Sequence, residues 1–145
     1  GKLGGKDSPS NLSRYDVTVH QSASEYQLLS PQGRAETWTP DAFWKMAFDP
    51  SHPKNTPHMG YLMAQFDFKE DWSTWEKHPN GDEVVVVLQG EATFILEQDS
   101  GQQEIPLVAG NYVVVPQNTW HTANIVKPAN MLFLTWGYGT ENRER

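Results

Sequence analysis

From Gly60 onward, apolar and polar residues alternate with period two through most of the chain, which is the pattern of strands that bury one face. Gly60–Phe68 sets Leu62, Ala64, Phe66 and Phe68 on one face and Tyr61, Met63, Gln65 and Asp67 on the other. Further strands are predicted over Glu83–Leu88, Glu91–Leu96, Tyr112–Val115, His121–Val126 and Met131–Trp136. Turn residues separate them at Pro79-Asn80-Gly81, Gln89-Gly90, Asp99-Ser100-Gly101, Ala109-Gly110-Asn111 and Lys127-Pro128. Short strands spaced by roughly 8–12 residues predict an antiparallel barrel or sandwich. Val84–Val87 is apolar at both parities, so both its faces are expected to be covered. The outer cover would come from a second sheet, the N-terminal segment or a partner subunit.

Before Gly60 the pattern changes. Residues 1–14 are rich in Gly, Ser, Lys and Asn and read as a flexible lead-in. Tyr15–His20 alternates and predicts a short strand. Thr39-Pro40-Asp41 is a helix start, with Thr as cap, Pro in the first helical position and Asp in the first turn. Two turns of helix over Ala42–Phe48 follow, ended by Asp49-Pro50. Residues 49–60 hold three prolines with His52 and His58 and read as an extended loop, where both histidines, like His20, are exposed bystanders. The expected organisation is a lead-in (1–14), N-terminal strands with a short helix and loop (15–59), a barrel core (60–138) and a charged C-terminal tail (139–145).

Composition narrows the function classes. A chain of 145 residues is one domain by length, and 37% hydrophobic with 12% aromatic residues is too apolar for a disordered one. The net charge of −7 gives no electrostatic footprint for nucleic acid or an anionic membrane. The absence of cysteine excludes disulfides, thiolate metal sites and cysteine nucleophiles. No apolar stretch approaches the ~20 residues of a spanning helix. Gly1–Lys6 lacks the apolar core of a signal peptide, so a cytoplasmic protein is expected. There is no Gly-rich phosphate loop and no Gly-x-Ser-x-Gly nucleophile turn.

What remains is His78, Glu83 and His121, each beside a turn and a strand start. Two neutral imidazoles and one carboxylate form the facial triad of non-haem iron(II) sites, which leaves positions open for water, substrate or oxygen. Glu76, two residues before His78, would share its side of a strand and is a fourth candidate ligand. The alternative is a polar barrel mouth in which these groups hydrogen-bond each other or water.

The same segments resemble the two motifs of the cupin superfamily. The first motif, His-x-His, three or four residues, Glu, six residues, Gly, is matched by Glu76-Lys77-His78, Glu83 and Gly90. The second, Gly, five residues, Pro-x-Gly, two residues, His, then Asn, is matched by Gly110, Pro116-Gln117-Asn118, His121 and Asn124. The resemblance spans roughly residues 60–137. Glu76 stands where the family has its first histidine ligand, Asn118 stands where it has glycine, and Asn124 comes one residue early. Asparagine tolerates left-handed backbone, so Asn118 suits a turn.

The resemblance implies an all-β fold, a double-stranded β-helix or jelly-roll barrel with a short N-terminal helix. It also implies homodimers that exchange N-terminal strands. It implies a divalent metal on His78, Glu83 and His121, with Glu76 as fourth ligand or, if unbound, as the catalytic acid or base. Two carboxylates and two imidazoles favour iron(II) or manganese(II), with zinc and nickel also compatible. The activity implied is that of a metal-dependent dioxygenase or isomerase on a small organic molecule. The alternatives are a non-catalytic sensor of a sugar or metabolite and a metal-free sugar isomerase or epimerase. Trp75 and Trp120 flank the candidate ligands and are the first choices for pocket walls among the aromatics Trp44, Phe48, Trp75, Trp120, Phe133, Trp136 and Tyr138. Tyr61, Met63 and Gln65 share a strand face, as do Phe133 and Thr135; alternation alone does not say which faces look inward.

Overall fold

The computed structural model describes residues 17–145. Among them are nine strands and one helix: β1 (Tyr26–Leu29), β2 (Ala35–Trp38), α1 (Pro40–Ala47), β3 (Tyr61–Phe68), β4 (Thr74–Lys77), β5 (Glu83–Gln98), β6 (Gly101–Val108), β7 (Tyr112–Val115), β8 (His121–Thr135) and β9 (Glu141–Glu144). The fold is an all-β jelly roll, one antiparallel sheet curled on itself. β8 is its spine. It pairs with β5 from His121 to Thr135, with β3 from Ala129 to Thr135, and with β4 at Glu76. β6 and β7 pair with β5, while β2, β1 and β3 run side by side.

Two expected pairs of strands are continuous. Glu83–Leu88 and Glu91–Leu96 join as β5 through register shifts between Val87 and Ala92. Gly90 permits this: its φ is +82°, and a Cβ there would lie 2.0 Å from the Pro128 carbonyl oxygen. His121–Val126 and Met131–Trp136 likewise join as β8, because Lys127-Pro128 falls opposite this bulge, where a missing N–H is tolerated.

Several elements depart from the expected pattern. Val17–His20 forms no strand, while Tyr15, Asp16 and the lead-in 1–14 lie outside the described residues. The N-terminal strands are instead β1 and β2, a hairpin on the edge of β3. Residues 26–38 thus pair with one another and with β3. The polar run Gln102-Gln103-Glu104 hid β6, an edge strand that carries Pro106 without penalty. The charged tail is not a tail: β9 pairs with β4.

α1 forms as anticipated. The Thr39 hydroxyl accepts the Ala42 N–H at 3.2 Å, and Pro40 opens the helix. Its face of Ala42, Phe43 and Met46 packs on Tyr26, Leu28, Trp38, Leu62 and Ala64. A second core, built on Val85, Val87, Phe94, Leu107, Val115, Met131 and Phe133, fills the barrel. On the opposite face of the valine strand, Val84 and Val86 are half-buried, and Leu88, Tyr112 and Val114 are exposed. No described helix is long and apolar enough to cross a membrane.

Asn118 has φ +61°, and its N–H donates to the His78 carbonyl at 2.9 Å. A β-branched residue is strained in that backbone region. Asn118→Val is expected to cost about 1–2 kcal/mol and Asn118→Gly to be close to neutral, as read by urea unfolding.

Candidate functional site

Four side chains converge from three strand ends. Glu76 lies on β4, His78 just beyond it, Glu83 opens β5, and His121 opens β8. The turn Pro79-Asn80-Gly81 brings His78 and Glu83 to one place. A Cβ on Gly81 would lie 2.4 Å from the Trp136 side chain, so only glycine lets the turn pack so closely. The pairing of Glu76 with His121 closes the ring across the sheet. The second motif's loop is tied to the first: the Gln117 N–H donates to Asp82 Oδ1 at 2.7 Å, and its side-chain amide donates to the Pro79 carbonyl at 2.8 Å.

Glu83 Oε2 lies 3.2 Å from His78 Nε2, and Glu83 Oε1 lies 3.2 Å from His121 Nε2. Glu76 Oε2 lies 3.8 Å and 4.0 Å from the same nitrogens. His78, Glu83 and His121 are all buried, whereas Glu76 keeps about a third of its side chain exposed. The other ring nitrogens fix the tautomers. His121 Nδ1 faces the Thr119 carbonyl at 3.0 Å, which can only accept, so Nδ1 carries the proton. The Thr140 hydroxyl gives its own proton to the Gly137 carbonyl, so it accepts from His78 Nδ1 at 2.8 Å. In the neutral rings both Nε2 atoms are therefore bare lone pairs.

These lone pairs point at carboxylate oxygens and have no hydrogen-bond partner; Glu83 Oε1 is likewise unpartnered. Buried polar atoms are rarely left so. Either protons or a cation must sit between them. Ligands about 2.1 Å from one ion lie roughly 3.0–3.4 Å apart at right to tetrahedral angles. The Glu83–imidazole distances match that spacing, and Glu76, His78 and His121 together form a cluster able to hold a metal. The donor set fits a divalent cation. The candidate ligands His78, His121 and Glu83 each also have a partner on the far side: Thr140, the Thr119 carbonyl, and Thr135, whose hydroxyl donates to Glu83 Oε2 at 2.5 Å.

Without a cation, the electrostatics favour protons in its place. Burial works against an ionised Glu83, but the imidazoles of His121 and His78 outweigh it and hold the carboxyl at about 2. Burial disfavours a charged His121, yet Glu83, the Thr119 carbonyl and Glu76 raise it. Glu76 is raised by burial and by repulsion from Glu83, with the two histidines partly offsetting.

A cavity of about 910 Å³ opens onto this cluster. Glu76, His78, Glu83 and Thr135 line it, together with Leu62, Ala64, Phe66, Phe68, Trp72 and Phe133. α1 and its flank add Phe43, Trp44 and Phe48, and the last loop adds Tyr138 and Thr140. Of the residues expected as pocket walls, Phe133 lies here. Tyr61, Met63 and Gln65 lie on the other face of β3, where Tyr61 packs on Trp136 with ring centres 5.0 Å apart and Gln65 bonds Asn130. Trp75 and Trp120 also point away from the cavity, because neighbours on a strand face opposite sides. They hold the Arg143 guanidinium at 5.3 Å and 4.5 Å from their rings. His20 pairs with Glu25 at the surface; His58 is exposed, whereas His52, expected to be exposed, is half-buried against Trp38 with ring centres 6.3 Å apart, and neither lines the cavity. The alternation of β3 carried the signal for Phe66 and Phe68, the more apolar face; Thr140 carried none, since only the pairing of β9 with β4 brings it to His78.

In metal-free protein Glu83 binds its proton less readily folded than unfolded. It therefore stabilises the fold above pH 4.5, and that contribution is lost as pH falls towards 2. Urea titrations over this window are expected to give a steeper loss of stability for the wild type than for Glu83→Gln.

The cupin domain family model matches residues 64–137, just over half of the chain. No curated protein matches the sequence. Among solved structures, a cupin-2 domain containing protein from Shewanella frigidimarina is 23% identical over 57% of this chain and 71% of its own, with a TM-score of 0.44. A cupin superfamily protein from Desulfitobacterium hafniense is 28% identical over 52% of this chain and 65% of its own, with a TM-score of 0.45. Hydroquinone 1,2-dioxygenase from a Sphingomonas species, with 4-hydroxybenzoate bound, is 19% identical over 53% of this chain and 65% of its own, with a TM-score of 0.45.

Proposed function

This chain belongs to the cupin domain family, and on that footing we propose that it is a metal-dependent cupin whose His78, His121 and Glu83 hold one divalent cation for chemistry on a small organic molecule. The observation that supports this reading best is the pair of buried, bare Nε2 lone pairs set against Glu83. When bound, such an ion supplies a Lewis acid and, as iron or manganese, a redox centre suited to oxygen-dependent cleavage or isomerisation.

The chain's own residues prepare that centre. Thr140 and the Thr119 carbonyl lock both imidazoles with Nε2 free, so no tautomer change is needed to load the site. Glu83 brings the buried negative charge that compensates the cation, steadied by Thr135. Glu76 is the group that moves a proton. Its carboxylate lies slightly beyond ligand spacing from the imidazoles, reaches the cavity, and is raised above the ordinary carboxylate range by burial and by Glu83. A carboxylate so tuned exchanges a proton with a bound molecule at Oε2 nearer to neutral pH.

Elemental analysis of protein purified without an immobilised-nickel step tests the reading. About one divalent ion per chain is expected, and His78→Ala, His121→Ala and Glu83→Ala are expected to abolish it. Protein free of metal in all preparations, with no uptake of added manganese, iron or zinc, overturns it.

Glu76→Gln separates proton carrier from ligand. Metal affinity within about tenfold of wild type supports the proton role, and a loss beyond about 100-fold makes Glu76 a fourth ligand. Thr140→Val is expected to weaken metal binding about tenfold while leaving the fold intact by circular dichroism.

A further inference from the structure

The cavity's lining discriminates among ligands more sharply than the metal cluster does. Among the described residues, no Lys or Arg lines it. Its ionisable side chains other than tyrosine are Glu70, Asp71, Glu76, Glu83 and His78. A divalent cation on this cluster would be matched in charge by Glu76 and Glu83, which leaves no surplus positive charge at the centre. A ligand carboxylate or phosphate entering here would lose its water beside a charge-balanced centre, with no basic side chain to pair with and four acidic ones to face.

The apolar part of the lining is aromatic. Phe66, Phe68, Trp72 and Phe133 pack on one another with ring centres 5.7–6.4 Å apart, and Trp72 continues the contact to the His121 ring at 6.2 Å. The aromatic wall thus abuts the cluster, whose Glu76, His78 and Glu83 line the same cavity. At the cavity's other flank, Phe48 is 81% exposed although it follows the last turn of α1, and it packs against half-exposed Trp44. Large exposed aromatics on a cavity lip commonly mark the entry of an apolar ligand.

Resting on the metal reading above, we propose that the cavity takes an uncharged aromatic molecule that presents hydroxyl oxygens to the cluster: a phenol or catechol free of carboxylate, phosphate or sulfate. The ring packs against Phe66, Phe68, Trp72 and Phe133, edge to face or offset, as aromatic pairs prefer. The hydroxyl oxygens face His78, Glu83 and Glu76, and Glu76 Oε2 is the acceptor for a hydroxyl proton.

The test uses the full chain loaded with cobalt(II), whose visible absorption reports both occupancy and ligand binding. Catechol is the uncharged probe, protocatechuate the same ring with a carboxylate, and propylene glycol the same pair of hydroxyls without a ring. Catechol is expected to perturb the cobalt bands at a concentration about tenfold or more below either of the others. Phe48→Ser, at an exposed position, is expected to weaken catechol several-fold without changing the cobalt spectrum of the ligand-free protein. Glu70→Lys is expected to narrow the gap between catechol and protocatechuate. If cobalt enters and protocatechuate or propylene glycol binds as tightly as catechol, the inference fails while the metal reading stands. If cobalt does not enter at all, the metal reading fails and the inference with it.

Discussion

One buried carboxylate between two imidazoles governs the organisation of this protein. Glu83 is 2% exposed and His121 fully buried, so an uncompensated charge there would be costly. Because both Nδ1 atoms are committed to oxygen acceptors, neutral rings turn lone pairs, not protons, towards Glu83. Two lone pairs and a carboxylate repel unless something positive joins them. The strand ends, the Gly81 turn and the loop around Asn118 are all arranged to hold these groups at that contact. The site is therefore a place where the fold stores an unmet demand for positive charge.

The sheet supplies that geometry through long-range pairing. β8 meets β4 only at its first residue, which is His121, and opposes Glu83 with its last, Thr135. A single strand thus carries a candidate ligand at one end and the hydroxyl that orients another at the opposite end. The bulge around Gly90 shifts the register of β5 against β8 while leaving the two strands paired on both sides of the bend. The same curl presents Leu62, Ala64, Phe66 and Phe68 inwards, so the aromatic wall and the polar cluster share one cavity.

Much of this was legible in the sequence, for physical reasons that differ by residue. The period-two pattern and the Gly- and Pro-marked turns revealed β3, β5, β7 and β8, because these strands have one face in the core. Thr39-Pro40-Asp41 revealed α1, since caps are local chemistry. The cluster of Glu76, His78, Glu83 and His121 was visible through motif spacing. β6 and β9 were not: their residues are exposed and polar, and only their partners make them strands. β1 and β2 escaped for a related reason, since each is four residues long and gains its burial from β3 and α1. Trp75 and Trp120 were misplaced because adjacency in sequence means opposition across a strand, and the β9 pairing that brings Arg143 between them is nonlocal.

Which nitrogen of each imidazole carries the proton can be measured directly. Long-range nitrogen–proton NMR of the histidine rings, taken on metal-free protein at mildly alkaline pH, distinguishes the tautomers. Nδ1–H is expected for both His78 and His121, with both Nε2 resonances shifting on stoichiometric addition of zinc. Nε2–H rings hydrogen-bonded to Glu83, indifferent to added zinc, would contradict that assignment.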